Sequence, residues 1–153
     1  MYLYQLAQEW SIFISKLPIK WAWYCHHTFR GSPHEETADK AYMKFIHLLN
    51  REIYGSNYWK DKSKGVVFAR GKELQERGAI HYHSLIGHVP EDIKRMKYMD
   101  IWNSMAGFAR IYPYEEKKGA EYYLSKSAYA WKHGEIDIRG PINMQQLRLN
   151  LQS

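Results

Sequence analysis

Leu3, Leu6, Trp10, Phe13 and Ile14 fall at helical spacing between Tyr2 and Leu17, and Pro18 closes the stretch, so a helix is expected to open the chain. The pattern then changes period. Residues 19–30, IKWAWYCHHTFR, are dense in aromatic and β-branched side chains and run into Gly31-Ser32-Pro33, which predicts a buried strand followed by a turn. Ser32-Pro33 with Glu35 and Glu36 marks a helix start, and Ala41, Phe45, Leu48, Leu49 and Ile53 continue one apolar face until Gly55 ends it.

Two apolar runs, Val66 to Ala69 and Gly78 to Ile86, flank a charged segment and predict an antiparallel hairpin. Pro90 opens a third amphipathic helix through Ile93, Met96, Met99, Ile101, Trp102 and Met105. Phe108 to Tyr112 reads as a strand, residues 114–131 as a helix with Glu115 and Glu116 early, and residues 135–139 as a short edge strand. The order α-β-α-β-β-α-β-α-β predicts an α+β fold, with one mainly antiparallel sheet of about five strands flanked by helices. Residues 1–153 form a single expected domain, with residues 1–19 as an N-terminal helix and 140–153 as a loosely ordered tail.

Composition narrows the partners. Lys plus Arg number 22 against 16 Asp plus Glu, a formal net charge of +6 and a pI near 9.3, which favours a polyanion. Aromatics make up 16% of the chain, and basic residues interleaved with Tyr and Trp suit single-stranded nucleic acid, where bases stack and phosphates pair. The only cysteine, Cys25, excludes an internal disulfide and a Cys-based zinc site. With no apolar run near the roughly 20 residues of a membrane span, no membrane partner and a cytoplasmic setting are expected.

His81 and His83 flank Tyr82 in the second hairpin strand. Side chains two apart on a strand share a face about 6.6 Å apart along the backbone, so both imidazoles can turn onto one cation. Glu73 lies across the hairpin and can add an oxygen; Glu76 is the competing ligand, nearer the turn. Two imidazoles and a carboxylate suit Mn2+, admit Mg2+ if water completes the shell, and can also hold Zn2+. On the predicted fourth helix Tyr123 and Lys126 are three apart and Tyr122 and Lys126 four apart, spacings that make side chains neighbours. A phenol with a pKa near 10 is a poor nucleophile until a cation or metal assists it.

Glu73, the Arg77-Gly78 of the hairpin, His81-Tyr82-His83 and the later Tyr123 to Lys126, in that order, resemble the HUH endonuclease superfamily, and within it the single-tyrosine initiators of rolling-circle replication. The resemblance implies a ferredoxin-like or RRM-like sheet. It further implies that Glu73, His81 and His83 bind a divalent ion, Mn2+ or Mg2+, that Tyr123 is the nucleophile, and that Lys126 positions it or the scissile phosphate. Arg70, Lys72, Arg77 and Tyr122 are the expected nucleic-acid contacts. His26 and His27 in the first strand fit the family's pattern only in part and read as strand residues rather than ligands.

The implied activity is a prokaryotic, plasmid or phage single-strand DNA endonuclease and strand transferase that nicks an origin, possibly a hairpin, through a 5′-phosphotyrosine link and rejoins strands. The sequence contains no GxxxxGK[ST] loop, so a separate helicase is the expected partner, and the protein would act as a monomer or homodimer. A single-tyrosine HUH transposase is a close rival, although Ser127 stands where that group carries glutamine. Two others are a metallohydrolase using water and a non-catalytic single-strand binding module stacking bases on Trp21, Trp23 and Tyr82.

Overall fold

Strand β1 (Trp21–Phe29) sets the architecture, because its side chains alternate between two different cores. Trp23, Cys25, His27 and Phe29 point to one side, and Tyr24, His26 and Thr28 to the other. The computed structural model describes residues 2–74, 78–126 and 136–153, with the side chains of residues 2–4 excepted. Arg77, Glu76, the far end of the expected fourth helix and the start of the expected last strand lie outside the described residues.

β2 (Val67–Leu74), β3 (Ile80–Gly87), β4 (Gly107–Pro113) and β5 (Ile136–Arg139) join β1 in a five-stranded sheet of order β4-β1-β3-β2-β5. Every neighbouring pair is antiparallel. Gly107 is required where β4 leaves β1: a Cβ there would lie 2.2 Å from the Thr28 carbonyl oxygen. Gly140 closes β5 with φ +124°, and its Cβ would meet the Val66 carbonyl at 2.5 Å.

Helices α2 (Glu35–Tyr54) and α3 (Arg95–Met105) cover one face. Glu35 and Glu36 sit in the first turn of α2, the His34 ring accepts the Glu36 N–H at 3.4 Å, and Gly55 at φ 95° ends the helix. Ala38, Tyr42, Phe45, Ile46 and Leu49 form the buried stripe. Each large side chain buried there contributes roughly 1.5–3 kcal/mol. α3 begins later than the sequence suggests: Pro90 to Ile93 make a turn, closed by the Ile93 N–H on the Pro90 carbonyl, before the helix starts. His27 lies in this core against Phe45 and Trp102, at ring distances of 4.6 and 4.7 Å. Burial pushes its pKa down to about 3, so it packs as a neutral aromatic.

Arg70 also points to this face. It is 7% exposed, lies 4.2 Å over the Tyr82 ring and 4.7 Å over Tyr42, and pairs with Asp39 at 2.7 Å and Asp137 at 3.2 Å. Arg139 of β5 reaches the same two carboxylates. Burial alone would raise the Asp39 pKa, but hydrogen bonds from Arg70 and Arg139 outweigh it and the net shift is downward. Lys72 pairs with Glu35 at 2.5 Å on the same side. Both residues were expected to contact nucleic acid; the structure places Arg70 against Asp39 and Asp137, and Lys72 against Glu35 of α2, on the face away from His81 and His83.

The opposite face carries α1 (Tyr2–Lys16), α4 (Gly119–Lys126) and α5 (Met144–Gln152). Ile14, Leu17, Ala120, Tyr123, Leu124 and Leu147 pack there on Tyr24, Ala69 and Leu85. The C-terminal segment, expected to be loosely ordered, is a docked helix. Asn143 caps it by accepting the Gln146 N–H at 3.0 Å, Leu147 is buried, and the Asn150 amide donates to the Lys16 carbonyl at 2.8 Å. No helix among the described residues is long and apolar enough to cross a membrane.

Candidate metal centre and tyrosine cleft

On the α1/α4/α5 face the antiparallel register lines side chains into rows. Arg110, His26, His83 and Gly71 stand opposite one another across four strands, and Phe108, Thr28, His81 and Glu73 form the next row. Gly71 offers no side chain, so nothing of its own row crowds His83 from that side. The register thus brings Glu73 and the His81/His83 pair together, as the hairpin reading anticipated.

The carboxylate oxygen Oε1 of Glu73 lies 3.3 Å from His81 Nδ1 and 3.4 Å from His83 Nε2. Two ligand atoms each about 2.1 Å from one ion are themselves roughly 3.0–3.4 Å apart in octahedral or tetrahedral geometry. His26, not expected as a ligand, joins the two histidines: its ring is 4.5 Å from that of His83 and 5.7 Å from that of His81. One ring nitrogen from each of the three histidines falls within a 4.8 Å group, so together they can hold a metal ion. Nε2 of His26 and Nδ1 of His83 are buried without a hydrogen-bond partner.

Burial favours the neutral form of all three imidazoles. Burial, with adjacent His81, pushes His83 down to about 3; burial, with His83 and His81, pushes His26 down to about 4. Burial lowers His81 too, against the opposing pull of Glu73. Neutral imidazoles in a half-buried pocket are the ligand state a divalent ion requires.

Beside the cluster opens a cleft of about 500 Å3 lined by Tyr24, His26, Tyr112, Lys118, Tyr122, Tyr123 and Lys126, among others. α4 buries Ala120, Tyr123 and Leu124, the i, i+3, i+4 stripe of an amphipathic helix. Tyr123 therefore points inward: it is 4% exposed, its ring lies 4.5 Å from Tyr114 and 5.3 Å from Tyr24, and its hydroxyl oxygen accepts the Glu115 N–H at 2.7 Å. Tyr122 turns to the solvent side of the cleft. The ammonium groups of Lys126 and Lys118 lie 4.6 and 4.8 Å from its ring centroid. A hydrogen bond with Lys126, reinforced by the charge of Lys118, holds the Tyr122 phenol below its ordinary pKa.

The lysine thus pairs with Tyr122, four residues away, rather than with Tyr123. Sequence reasoning passed over His26 and Lys118. The alternation of β1 put His26 on the face of Tyr24 and Thr28, but only the pairing with β3 sets it against His83. No protein-family model matches this chain, and no curated protein or solved structure shows significant similarity to it.

Proposed function

We propose that the protein is a metal-dependent single-strand DNA endonuclease and strand transferase of the HUH kind, acting through a covalent tyrosine adduct and serving the start of rolling-circle replication. The observation that carries this reading is the approach of one Glu73 oxygen to both His81 and His83 beside a cleft that holds a cation-flanked tyrosine. A divalent ion held by these groups supplies Lewis-acid stabilisation of the charge on the scissile phosphate. Three imidazoles, with the Glu73 carboxylate beside two of them, would favour Mn2+ over Mg2+, which prefers an oxygen shell.

Tyr122, rather than the Tyr123 suggested by the resemblance, is the nucleophile in this reading. Its oxygen attacks phosphorus in line, the Tyr122 O–P bond forms, and the P–O3′ bond breaks. The phenol proton passes to solvent and the departing 3′-oxygen takes one up. One phosphodiester is exchanged for another, so a later 3′-hydroxyl can reverse the step. Lys126 and Lys118 stabilise the phenolate, and Tyr123 holds α4 in place by packing on Tyr24 and anchoring the Glu115 N–H.

The test is incubation with labelled single-stranded oligonucleotides and Mn2+, followed by denaturing electrophoresis and mass mapping of the linked residue. An adduct on Tyr122 that a chelator abolishes is expected. Metal-dependent cleavage without protein-linked DNA would instead indicate a water nucleophile.

A further inference from the structure

β4 is an outer strand of the sheet, and its side chains alternate from Gly107 to Tyr112: Ala109 and Ile111 are buried, while Phe108, Arg110 and Tyr112 are exposed on the face of the histidine cluster. Phe108 is 53% exposed and Tyr112 42%. Two large rings left in water on either side of a cation are costly to keep unless something covers them. Arg110 has no carboxylate partner among the described residues; its guanidinium rests 5.3 Å from the Phe108 ring centroid.

Position supplies the rest. Arg110 stands in the same cross-strand row as His26 and His83, and Phe108 in that of His81 and Glu73. Tyr112 lines the cleft of Tyr122, Lys118 and Lys126, with its ring stacked 6.1 Å from Tyr24. Successive outward side chains on a strand are about 6.7 Å apart, so the row aromatic, cation, aromatic forms a track beside the cluster.

We propose that Phe108, Arg110 and Tyr112 are the track that seats single-stranded DNA beside the metal centre. The two rings stack bases and Arg110 pairs with a backbone phosphate next to the one attacked. The unpaired guanidinium, the lysines of the adjoining cleft and the net charge of +6 complement a polyanion. This inference rests on the proposed function and names its substrate-binding surface. Sequence-tolerant stacking and a phosphate contact predict binding that needs no metal.

Fluorescence anisotropy with a labelled oligodeoxythymidylate in EDTA tests the track while cleavage is silent. The paired substitution Phe108→Ala/Tyr112→Ala is expected to weaken binding by about 10-fold or more. Arg110→Gln is expected to reduce the slope of log K against log salt by about 0.7, the value for one phosphate contact on a single strand. Trp59→Ala removes another exposed ring, 63% accessible on the short turn at Tyr58–Lys60, and should leave binding unchanged. If the alanine pair fails to fold, Phe108→Leu/Tyr112→Leu keeps the bulk, removes both aromatic faces and carries the same expectation. Affinity equal to the parent in the folded variants, an equal loss in Trp59→Ala, or binding of RNA but not DNA would overturn the track. Binding of the parent without an adduct in Mn2+ would count against the proposed function alone.

Discussion

Replacing each of the adjacent tyrosines by phenylalanine separates nucleophile from scaffold. Tyr122→Phe keeps the ring over which Lys126 and Lys118 sit and removes only a half-exposed hydroxyl, so stability should stay within about 0.5 kcal/mol of the parent. Adduct formation should vanish. Tyr123→Phe removes the acceptor of the Glu115 N–H at 2.7 Å in a buried setting, a loss of about 1–2 kcal/mol. For a chain of this size that lowers Tm by roughly 2–8 °C, while the folded fraction still forms adduct. Lys126→Met, which takes away the main cause of the lowered Tyr122 pKa, should move the pH–rate profile for adduct formation to higher pH. The assay is denaturing electrophoresis of labelled DNA with Mn2+, run beside thermal unfolding of the same samples. Full adduct yield in Tyr122→Phe together with its loss in a thermally unchanged Tyr123→Phe would refute the assignment.

Other outcomes can be measured on the same protein. Mn2+ at about 100 times its Kd should raise stability by about 2.7 kcal/mol, and Glu73→Ala or His26→Ala should remove most of that gain in a thermal-shift titration. Arg70→Met leaves Asp39 of α2 and Asp137 of β5 with Arg139 as their remaining cation among the described residues and should cost about 1–3 kcal/mol by denaturant titration, less than a fully buried pair because both carboxylates keep about a third of their surface in water. Hydrogen bonds from Tyr98 and Lys97 hold Glu52 below its ordinary pKa of 4.5. A depressed folded pKa gives stability that is present above the ordinary value and lost as pH falls through the folded one, so Glu52→Gln should flatten the acid limb of the stability curve.

The periodic stretches carried most of the fold. Aromatic and β-branched runs bounded by glycine or proline marked the strands, and one-sided apolar stripes marked α1, α2 and the later part of α3. Pairing order was not legible, because it depends on which distant strands share a core. That is why His26 stood out only once β1 lay between β3 and β4. The orientation of α4 was written in Ala120, Tyr123 and Leu124, a stripe that turns Tyr123 inward and leaves Tyr122 outside. The ion pairs of Arg70 were hidden for a simpler reason: a positive charge in a strand gives no sign of the carboxylates that will meet it. Asp39 and Asp137 lie 31 and 67 residues away along the chain.

The arginine clamp has a bearing on the far side of the sheet. Side chains on a strand alternate with a period of two, so sliding β2 by one position against β3 would exchange its two surfaces and carry Glu73 away from the imidazoles. Arg70, opposite Ser84 and fastened to both α2 and β5, can make its ring and carboxylate contacts in only one alignment. It works as a key cut for a single lock position. A buried charge on one face of the sheet thereby keeps Glu73 beside His81 and His83 on the other.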